Sequence, residues 1–215
     1  MTYDMISDPS DTELVRRAKA GELAAFEQLT TRYEQRVYSL ALRILHQQQD
    51  AEDVTQQTFL NALENLDGFR GDASFATWLL RIASHAALKV IRKRKTVPMV
   101  SLEEATEVSD PIDSIPHPEF IADWRQSPEQ LVERNETVRL VEEALSRLDD
   151  KHRLVFLLRD VEGLSVRETA EALNLSEANV KVRLLRARLQ LREDLTRALG
   201  DSSRQIQRHH HQHGE

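Results

Sequence analysis

The chain has 215 residues, a formal net charge of −7 and no cysteine, which excludes disulfides, thiolate metal sites and thiol redox switching. No run of about 18 apolar residues occurs, so the sequence predicts no membrane insertion. Because the acidic N-terminus also lacks the basic-then-apolar order of a secretion signal, we expect a cytoplasmic protein with two small domains or one medium domain.

The first half of the chain shows helical periodicity. A short helix is predicted from about Asp11 to Ala20, and Gly21 separates it from a long one. The long helix carries one apolar stripe: Phe26, Leu29, Tyr33, Val37, Leu40 and Ile44. The next stripe is Ala51, Val54, Thr58, Ala62 and Leu66, closed by Asp67-Gly68. A further helix begins near Ser74. We place the N-terminal domain at residues 1–95.

Charge is distributed in blocks along the chain. Residues 81–100 hold six Lys or Arg and no acid, whereas residues 101–136 hold ten acids against two Arg. Five of the six prolines lie between Pro98 and Pro128. Such a segment cannot bury enough apolar surface to order itself, so we predict an acidic flexible linker over residues 96–135, with Phe120 and Trp124 as anchors on another surface.

The second half of the chain ends in two predicted helices around a tight turn. Helices over Val138–Leu148 and Lys151–Val161 come first. Ser165 and Glu168 then form a capping box, and Ser176 caps the last helix. That helix carries a buried stripe, Val180, Leu184, Ala187 and Leu191. Its remaining surface is basic, as a helix that enters the major groove of DNA requires. The fold class is therefore all-α, with a helix-turn-helix domain over residues 136–199.

The last helix also carries a second apolar line, Val182, Leu185 and Leu189, away from its core stripe. These side chains suit contact with thymine methyl groups, and they suit a protein that covers the helix equally well. Both interpretations stay open at this point.

A second basic face lies on the helix that begins near Ser74. Trp78, Arg81, His85, Lys89 and Arg92 recur along one side of it at steps of three and four. Phosphate neutralisation beside an aromatic surface is typical of binding to single-stranded or opened DNA. The alternative is that Trp78 belongs to the core and the basic residues after it form a solvated tail.

Three segments in order resemble the extracytoplasmic-function (ECF) sigma factors of bacteria. They are DAEDVTQQTFLNAL (50–63), FRGDASFATWLLRIASH (69–85) and LVFLLRDVEGLSVRETAEALNLSEANVKVRLLRARLQLR (154–192). The resemblance implies a region 2 helical bundle that binds core RNA polymerase and melts the minus-ten promoter element. It also implies a region 4 helix-turn-helix that recognises the minus-thirty-five element.

The resemblance implies roles for residues of this chain. We expect the polymerase β′ clamp to contact Asp50, Glu52, Asp53, Gln56 and Gln57, and the β flap to complete the polymerase contact. We expect minus-ten contacts from Arg70, Trp78, Arg81, His85, Lys89, Arg92 and Lys93. We expect minus-thirty-five contacts from Arg167, Asn179, Lys181, Val182, Arg183, Leu185, Arg186 and Arg188. An anti-sigma protein is expected as a further partner.

The chain departs from the family pattern at three positions. His85 replaces the usual Asn, Asp149 replaces the usual Pro, and Thr169 replaces the usual Ile. An imidazole presents different hydrogen-bond donors from an amide, so His85 puts the usual minus-ten base preference in doubt. In related proteins the segment between the domains enters polymerase channels, and the acidic linker would imitate a polyanion there; an uninvolved spacer is the alternative.

The remaining sequence offers little for other functions. The tail over residues 200–215 ends with His209, His210, His211 and His213, imidazoles that suit a transition metal but are more typical of a disordered end. No nucleophile or phosphate-loop motif occurs, so we expect no enzymatic activity and no cofactor. The main rival is a dimeric helix-turn-helix regulator independent of polymerase.

Overall fold

The computed structural model describes residues 9–94 and 134–199. The first range forms α1 (Asp11–Lys19), α2 (Leu23–Leu45), α3 (Gln48–Glu64), a 3-10 turn (Leu66–Gly68) and α4 (Phe75–Arg94). The second forms α5 (Arg134–Arg147), α6 (Asp150–Phe156), a π-helical turn (Leu157–Val161), α7 (Val166–Leu173) and α8 (Glu177–Leu199). Neither range contains a strand, which confirms the all-α prediction. The His-containing tail and nearly all of the predicted linker, with Phe120 and Trp124, lie outside the described residues.

The two helical units of the chain are described separately. In the N-terminal unit α2 is central, because it packs against α1, α3 and α4. Leu14, Leu29, Leu40, Leu79 and Leu80 are all at most 1% exposed, and each such burial contributes about 1.5–3 kcal/mol relative to exposure. The predicted α2 stripe is therefore the core face of this bundle.

Tyr33 is the member of the α2 stripe that stays half-buried. Its hydroxyl donates to the Asp11 carboxylate, and its ring lies 5.7 Å from that of Phe75. Burial, with the neighbouring Asp11 carboxylate, raises the pKa of Tyr33 to about 12. The contact ties the start of α1 to the middle of α2.

A cluster at the end of α4 closes the corner between α2 and α3. The Arg94 guanidinium donates to the Leu45 carbonyl at 2.9 Å, to Gln47 Oε1 at 2.8 Å and to the Asp50 carboxylate. The Leu45 carbonyl is one of the last four of α2, which have no partner within the helix. Arg94 thus joins three helices, and Asp50 is part of this joint.

In the C-terminal unit α8 packs against α5 and α6. Its predicted stripe is confirmed: Val180, Leu184, Ala187 and Leu191 are each at most 7% exposed. Two helices lying against one face of α8 leave its opposite face available to solvent. The geometry therefore fixes which side of α8 can meet a ligand.

Arg153 is 4% exposed and joins α5 to α6. It donates to the carbonyls of Ser146 at 3.3 Å and Leu148 at 3.1 Å, and it pairs with Asp150 at 2.6 Å. Burial lowers the pKa of Arg153, and the Asp150 carboxylate opposes that shift. These partners stabilise the observed packing of α5 against α6, because any arrangement that removed them would leave the buried guanidinium charge uncompensated.

The predicted caps of the helix-turn-helix are present. Ser165 N donates to Glu168 Oε2 at 2.8 Å, and Glu168 N donates to Ser165 Oγ at 3.1 Å, which is a complete capping box. Asn179 N donates to Ser176 Oγ at 3.2 Å. Asn174 takes a left-handed conformation, with φ of 53°, at the end of α7. These local contacts set where both helices of the motif begin and where α7 ends.

Thr169 shows how the motif accommodates a departure from the family pattern. Its side chain is fully buried, and its hydroxyl donates to the Ser165 carbonyl at 2.9 Å. The hydroxyl is therefore satisfied within α7, which avoids the cost of burying an unpaired polar group. None of the helices in the described ranges combines the length and the hydropathy needed to cross a membrane.

Candidate polymerase and nucleic-acid interfaces

The residues predicted to bind polymerase lie on two sides of α3. Glu52, Asp53, Gln56 and Gln57 are exposed, and we call these four the α3 surface. Asp50, predicted with them, is half-buried and pairs with Arg94. Its carboxylate thus has a partner within the chain, and Asp50 differs in this respect from the other four.

Two exposed leucines extend one side of the α3 surface. Leu60 and Leu63 are 48% and 42% exposed, and they continue the line of Gln56 at steps of four and three. With Glu52, Gln56, Phe26 and Tyr38 they line a cavity of about 450 Å³ between α2 and α3. These two leucines are not among the residues predicted from the sequence, although their position off the α3 core stripe was a sufficient signal.

The other side of the α3 surface faces α4 across a larger groove. Asp53 and Gln57 line this cavity of about 760 Å³, which we call the α3–α4 groove. Its α4 wall includes four residues predicted to contact the minus-ten element: Trp78, His85, Lys89 and Lys93. The structure therefore brings together an indole, an imidazole and two ammonium groups beside amide and carboxylate oxygens of α3.

The other predicted minus-ten residues lie away from the walls of the groove. Arg81 and Arg92 are exposed on α4 but do not line it. Arg70 lies in the loop between α3 and α4, where its side chain is 84% exposed and its Nε is 3.4 Å from the Asp72 carboxylate. These arginines add positive charge around the groove, which is a means of attracting phosphate.

Trp78 is neither a core residue nor a free surface residue. It is half-buried, and its ring centroid lies 5.1 Å from that of Phe69 and 5.6 Å from that of Phe75. An aromatic ring held in this way keeps one region of its surface available for stacking while its packing fixes its orientation. Trp78 is therefore packed on one side against the aromatic rings of its own unit, and its contact with DNA stays a prediction.

The exposed face of α8 is narrower than the sequence indicated. Lys181, Leu185, Arg188 and Arg192 are exposed, at steps of four, three and four along the helix, and we call these four the α8 face. Arg192 was not among the predicted residues. Val182, Arg186 and Leu189 are half-buried at its edges, and Arg167 is exposed on α7. Leu185 alone of the predicted apolar line is exposed, at 49%.

Two residues predicted to contact the minus-thirty-five element are buried. Asn179 is 8% exposed and Arg183 is 7% exposed. Burial lowers the pKa of Arg183, while the Asp149 carboxylate acts in the opposite direction. Buried side chains at these positions support the packing of α8. Asn179 or Arg183 could contact a base only after a change of side-chain conformation that exposes it to solvent.

Arg188 on the α8 face has a partner within its own unit. Its Nε and Nη2 donate to the two Asp160 oxygens at 2.8 and 2.7 Å. This hydrogen-bonded pair raises the pKa of Arg188. A two-point ion pair of this kind fixes the plane of the guanidinium and joins the π-helical turn to α8.

The described residues contain no group of three or more His, Asp or Glu side chains arranged to hold a metal ion. The four histidines of the tail lie outside the described ranges.

Comparison with known proteins identifies the family. The Sigma-70 region 2 family model matches residues 29–97, and the Sigma-70 region 4 model matches residues 139–191. The chain is similar to the RNA polymerase sigma-H factor of Pseudomonas aeruginosa, with 32% identity over 86% of this chain and 93% of that protein. It is also similar to the ECF RNA polymerase sigma factor SigW of Bacillus subtilis, with 33% identity over 84% of this chain and 94% of that one.

Two solved structures are also similar to this chain in fold. CnrH, solved in complex with the cytosolic domain of CnrY, matches with a TM-score of 0.59 and 27% identity over 88% of this chain and 99% of its own. The sigma factor RpoE of Bartonella quintana, solved with the anti-sigma factor NepR, shares the fold with a TM-score of 0.55 and 22% identity, over 80% of this chain and 96% of its own. The chain belongs to the ECF sigma factor family, whose members are transcription initiation factors.

Proposed function

We propose that this chain binds core RNA polymerase and directs it to promoters, with the two units binding different promoter elements. The α3 surface, with Leu60 and Leu63, contacts the polymerase clamp. The α3–α4 groove holds the opened minus-ten strand, and the α8 face contacts the minus-thirty-five duplex. The β flap completes the polymerase contact. The observation that carries the proposal is the presence of two sigma regions in order on one chain, each with an exposed polar or basic face.

The chemistry of the α3–α4 groove supports its proposed role. Lys89 and Lys93 supply positive charge for phosphates, and Trp78 offers an aromatic surface for an unstacked base. His85 places a ring nitrogen donor or acceptor where the family commonly has an amide, which favours a shifted base preference at this position.

The experiment is reconstitution of transcription from purified parts. The chain is mixed with core RNA polymerase, and run-off transcription is measured on promoters upstream of its own gene. We expect co-purification with core polymerase and transcripts that require the chain. Binding to a symmetrical duplex, without any association with core polymerase, would instead support the rival dimeric regulator.

The proposal extends to an anti-sigma partner. Two structural relatives were solved with partner proteins: CnrH with the cytosolic domain of CnrY, and RpoE with the anti-sigma factor NepR. In this chain Leu185, 49% exposed on the α8 face between Lys181 and Arg188, offers an apolar contact beside basic ones. A protein that covers Leu185 would also mask the charges that DNA requires.

We expect Leu185→Asp to weaken binding of the anti-sigma candidate encoded beside this gene by about tenfold to a hundredfold. Full burial of a Leu side chain is worth about 1.5–3 kcal/mol, and an aspartate at that place would also bury a charge. Co-purification and titration of the pair measure the effect. Val138→Asp, at a valine of α5 that is 56% exposed, is the matched control. Full-strength partner binding combined with loss of promoter activity would assign Leu185 to DNA instead.

A further inference from the structure

Lys19, the last residue of α1, holds the loop that connects α3 to α4. Its Nζ donates to the Asp67 carbonyl at 3.2 Å and to the Phe69 carbonyl at 2.5 Å. The same Nζ lies 6.0 Å from the centroid of the Phe69 ring. These contacts join residues 48 and 50 positions apart in sequence. Lys19 belongs to none of the surfaces described above.

The loop held by Lys19 places an aromatic ring, that of Phe69, beside Trp78, which lines the α3–α4 groove. Phe69 is half-buried, with its ring 5.1 Å from Trp78 and 5.9 Å from Phe75, the latter edge to face. Phe75 is buried and anchors the group. Phe69 and Trp78 thus form one aromatic surface, whose outer ring is supplied by the loop rather than by a helix.

The main chain at Phe69 also sets the position of Arg70. Before Phe69 the chain is fixed by the buried Leu66, whose carbonyl accepts from Phe69 N at 3.0 Å. After it, Arg70 is largely exposed and Gly71 takes a left-handed φ of 79°. A hold on the Phe69 carbonyl therefore fixes the main chain from which the Phe69 ring and the Arg70 side chain start.

We infer that Lys19 is a positioning residue for promoter opening. Its ammonium fixes two loop carbonyls, and this keeps the Phe69 ring against Trp78, whose indole lines the groove that receives the opened strand. The inference rests on the proposed function of the α3–α4 groove. A preorganised loop binds an unstacked strand at a smaller cost in conformational entropy than a loose one does, so loss of the hold slows opening.

The chemistry of Lys19 makes a clean test practicable. Its ammonium is exposed, whereas Leu14 and Val15 anchor α1 in the core. Lys19→Met keeps the aliphatic stem and removes the donor, so the fold is retained. Lys19→Arg keeps the charge and donors and is expected to restore function. Arg16→Met is the matched control, because it removes an equal charge from the same helix, where Arg16 pairs with Glu13 at 2.6 Å.

The first readout is the tryptophan emission of the free chain. The sequence contains two tryptophans, Trp78 and Trp124, so Trp124→Phe leaves Trp78 as the reporter of the loop. We expect Lys19→Met to change the emission of Trp78 and its quenching by acrylamide, and Arg16→Met to leave both unchanged. An unchanged Trp78 signal in Lys19→Met would overturn the inference.

The second readout is promoter opening by the reconstituted polymerase, followed by permanganate reactivity of minus-ten thymines. We expect Lys19→Met to slow opening by about threefold to tenfold, as for loss of one or two hydrogen bonds, with unchanged affinity for core polymerase. A different result would contradict the inference: opening is slowed, the salt dependence of promoter binding falls by about one, and the Trp78 emission does not change. Lys19 would then bind a phosphate directly. A parent chain that opens no promoter contradicts the proposed function, and the inference fails with it. If the parent chain opens promoters and Lys19→Met opens them equally fast, the inference is contradicted and the proposed function is not.

Discussion

Glu52→Lys combined with Asp53→Lys should weaken the affinity of this chain for core RNA polymerase by about two orders of magnitude. Both carboxylates are exposed on the α3 surface, and one lies on each side of it, beside the smaller cavity and the α3–α4 groove respectively. Like charges brought together at an interface cost several kcal/mol, and each 1.4 kcal/mol is a factor of ten. Titration of labelled core polymerase with each variant measures the loss.

The structure determines the design of this variant. Asp50, which the sequence placed in the same set, pairs with Arg94 and belongs to the joint of α2, α3 and α4. A reversal there removes a contact within the fold, and any loss of polymerase binding would be ambiguous. Glu52 and Asp53 avoid this difficulty, because both are exposed and lie outside the α3 core stripe, so that charge reversal there leaves the packing of the helices unchanged.

The control must change charge by the same amount at another place. Glu27→Lys with Glu142→Lys fulfils this condition, since both residues are exposed and neither lies on α3. We expect parental affinity for core polymerase from the control and parental thermal unfolding from both variants. If the Glu52 and Asp53 variant binds core polymerase as well as its control does, the clamp contact lies elsewhere on the chain.

Lys181→Ala should lower affinity for the minus-thirty-five duplex by about 1–3 kcal/mol if the lysine holds a base edge. Lys181 is exposed in the second turn of α8, close to the helix end that enters the groove in proteins of this type. Arg186, half-buried at the edge of the α8 face, should give a smaller effect on replacement by Ala. Fluorescence anisotropy with cognate and scrambled duplexes over a range of salt concentrations measures both.

The salt dependence separates two kinds of contact. Loss of a base contact lowers affinity for the cognate duplex and narrows its advantage over the scrambled one, whereas loss of a phosphate contact weakens both alike and reduces the salt slope by about one. Arg197→Ala is the control: Arg197 is exposed near the far end of α8, about 24 Å along the helix axis from Lys181. If Lys181→Ala and Arg186→Ala both bind the duplex with the affinity of the parent chain, the DNA contact lies on another face.

The ion pair of Arg188 with Asp160 illustrates how tertiary contacts modify a prediction from sequence. On the sequence Arg188 is one of several basic residues of a helix. In the structure its guanidinium is oriented by a carboxylate 28 positions earlier in the chain, and that carboxylate also offsets its charge. Spacing along α8 carries no information about that partner.

The sequence by itself determined the helices, their caps, the order of the two sigma regions and the family. These features depend on residues close together in sequence, such as Ser165 and Glu168, or Val180 and Leu184 one helical turn apart. Their spacing can be taken directly from the sequence. The tertiary structure alone decided which polar side chains are available. It buried Asn179 and Arg183, paired Asp50 with Arg94 and brought Lys19 to Phe69. Periodicity along one helix predicts which of its residues share a face. It does not predict which residues of a distant helix will contact that face, because those contacts form only when the helices pack together.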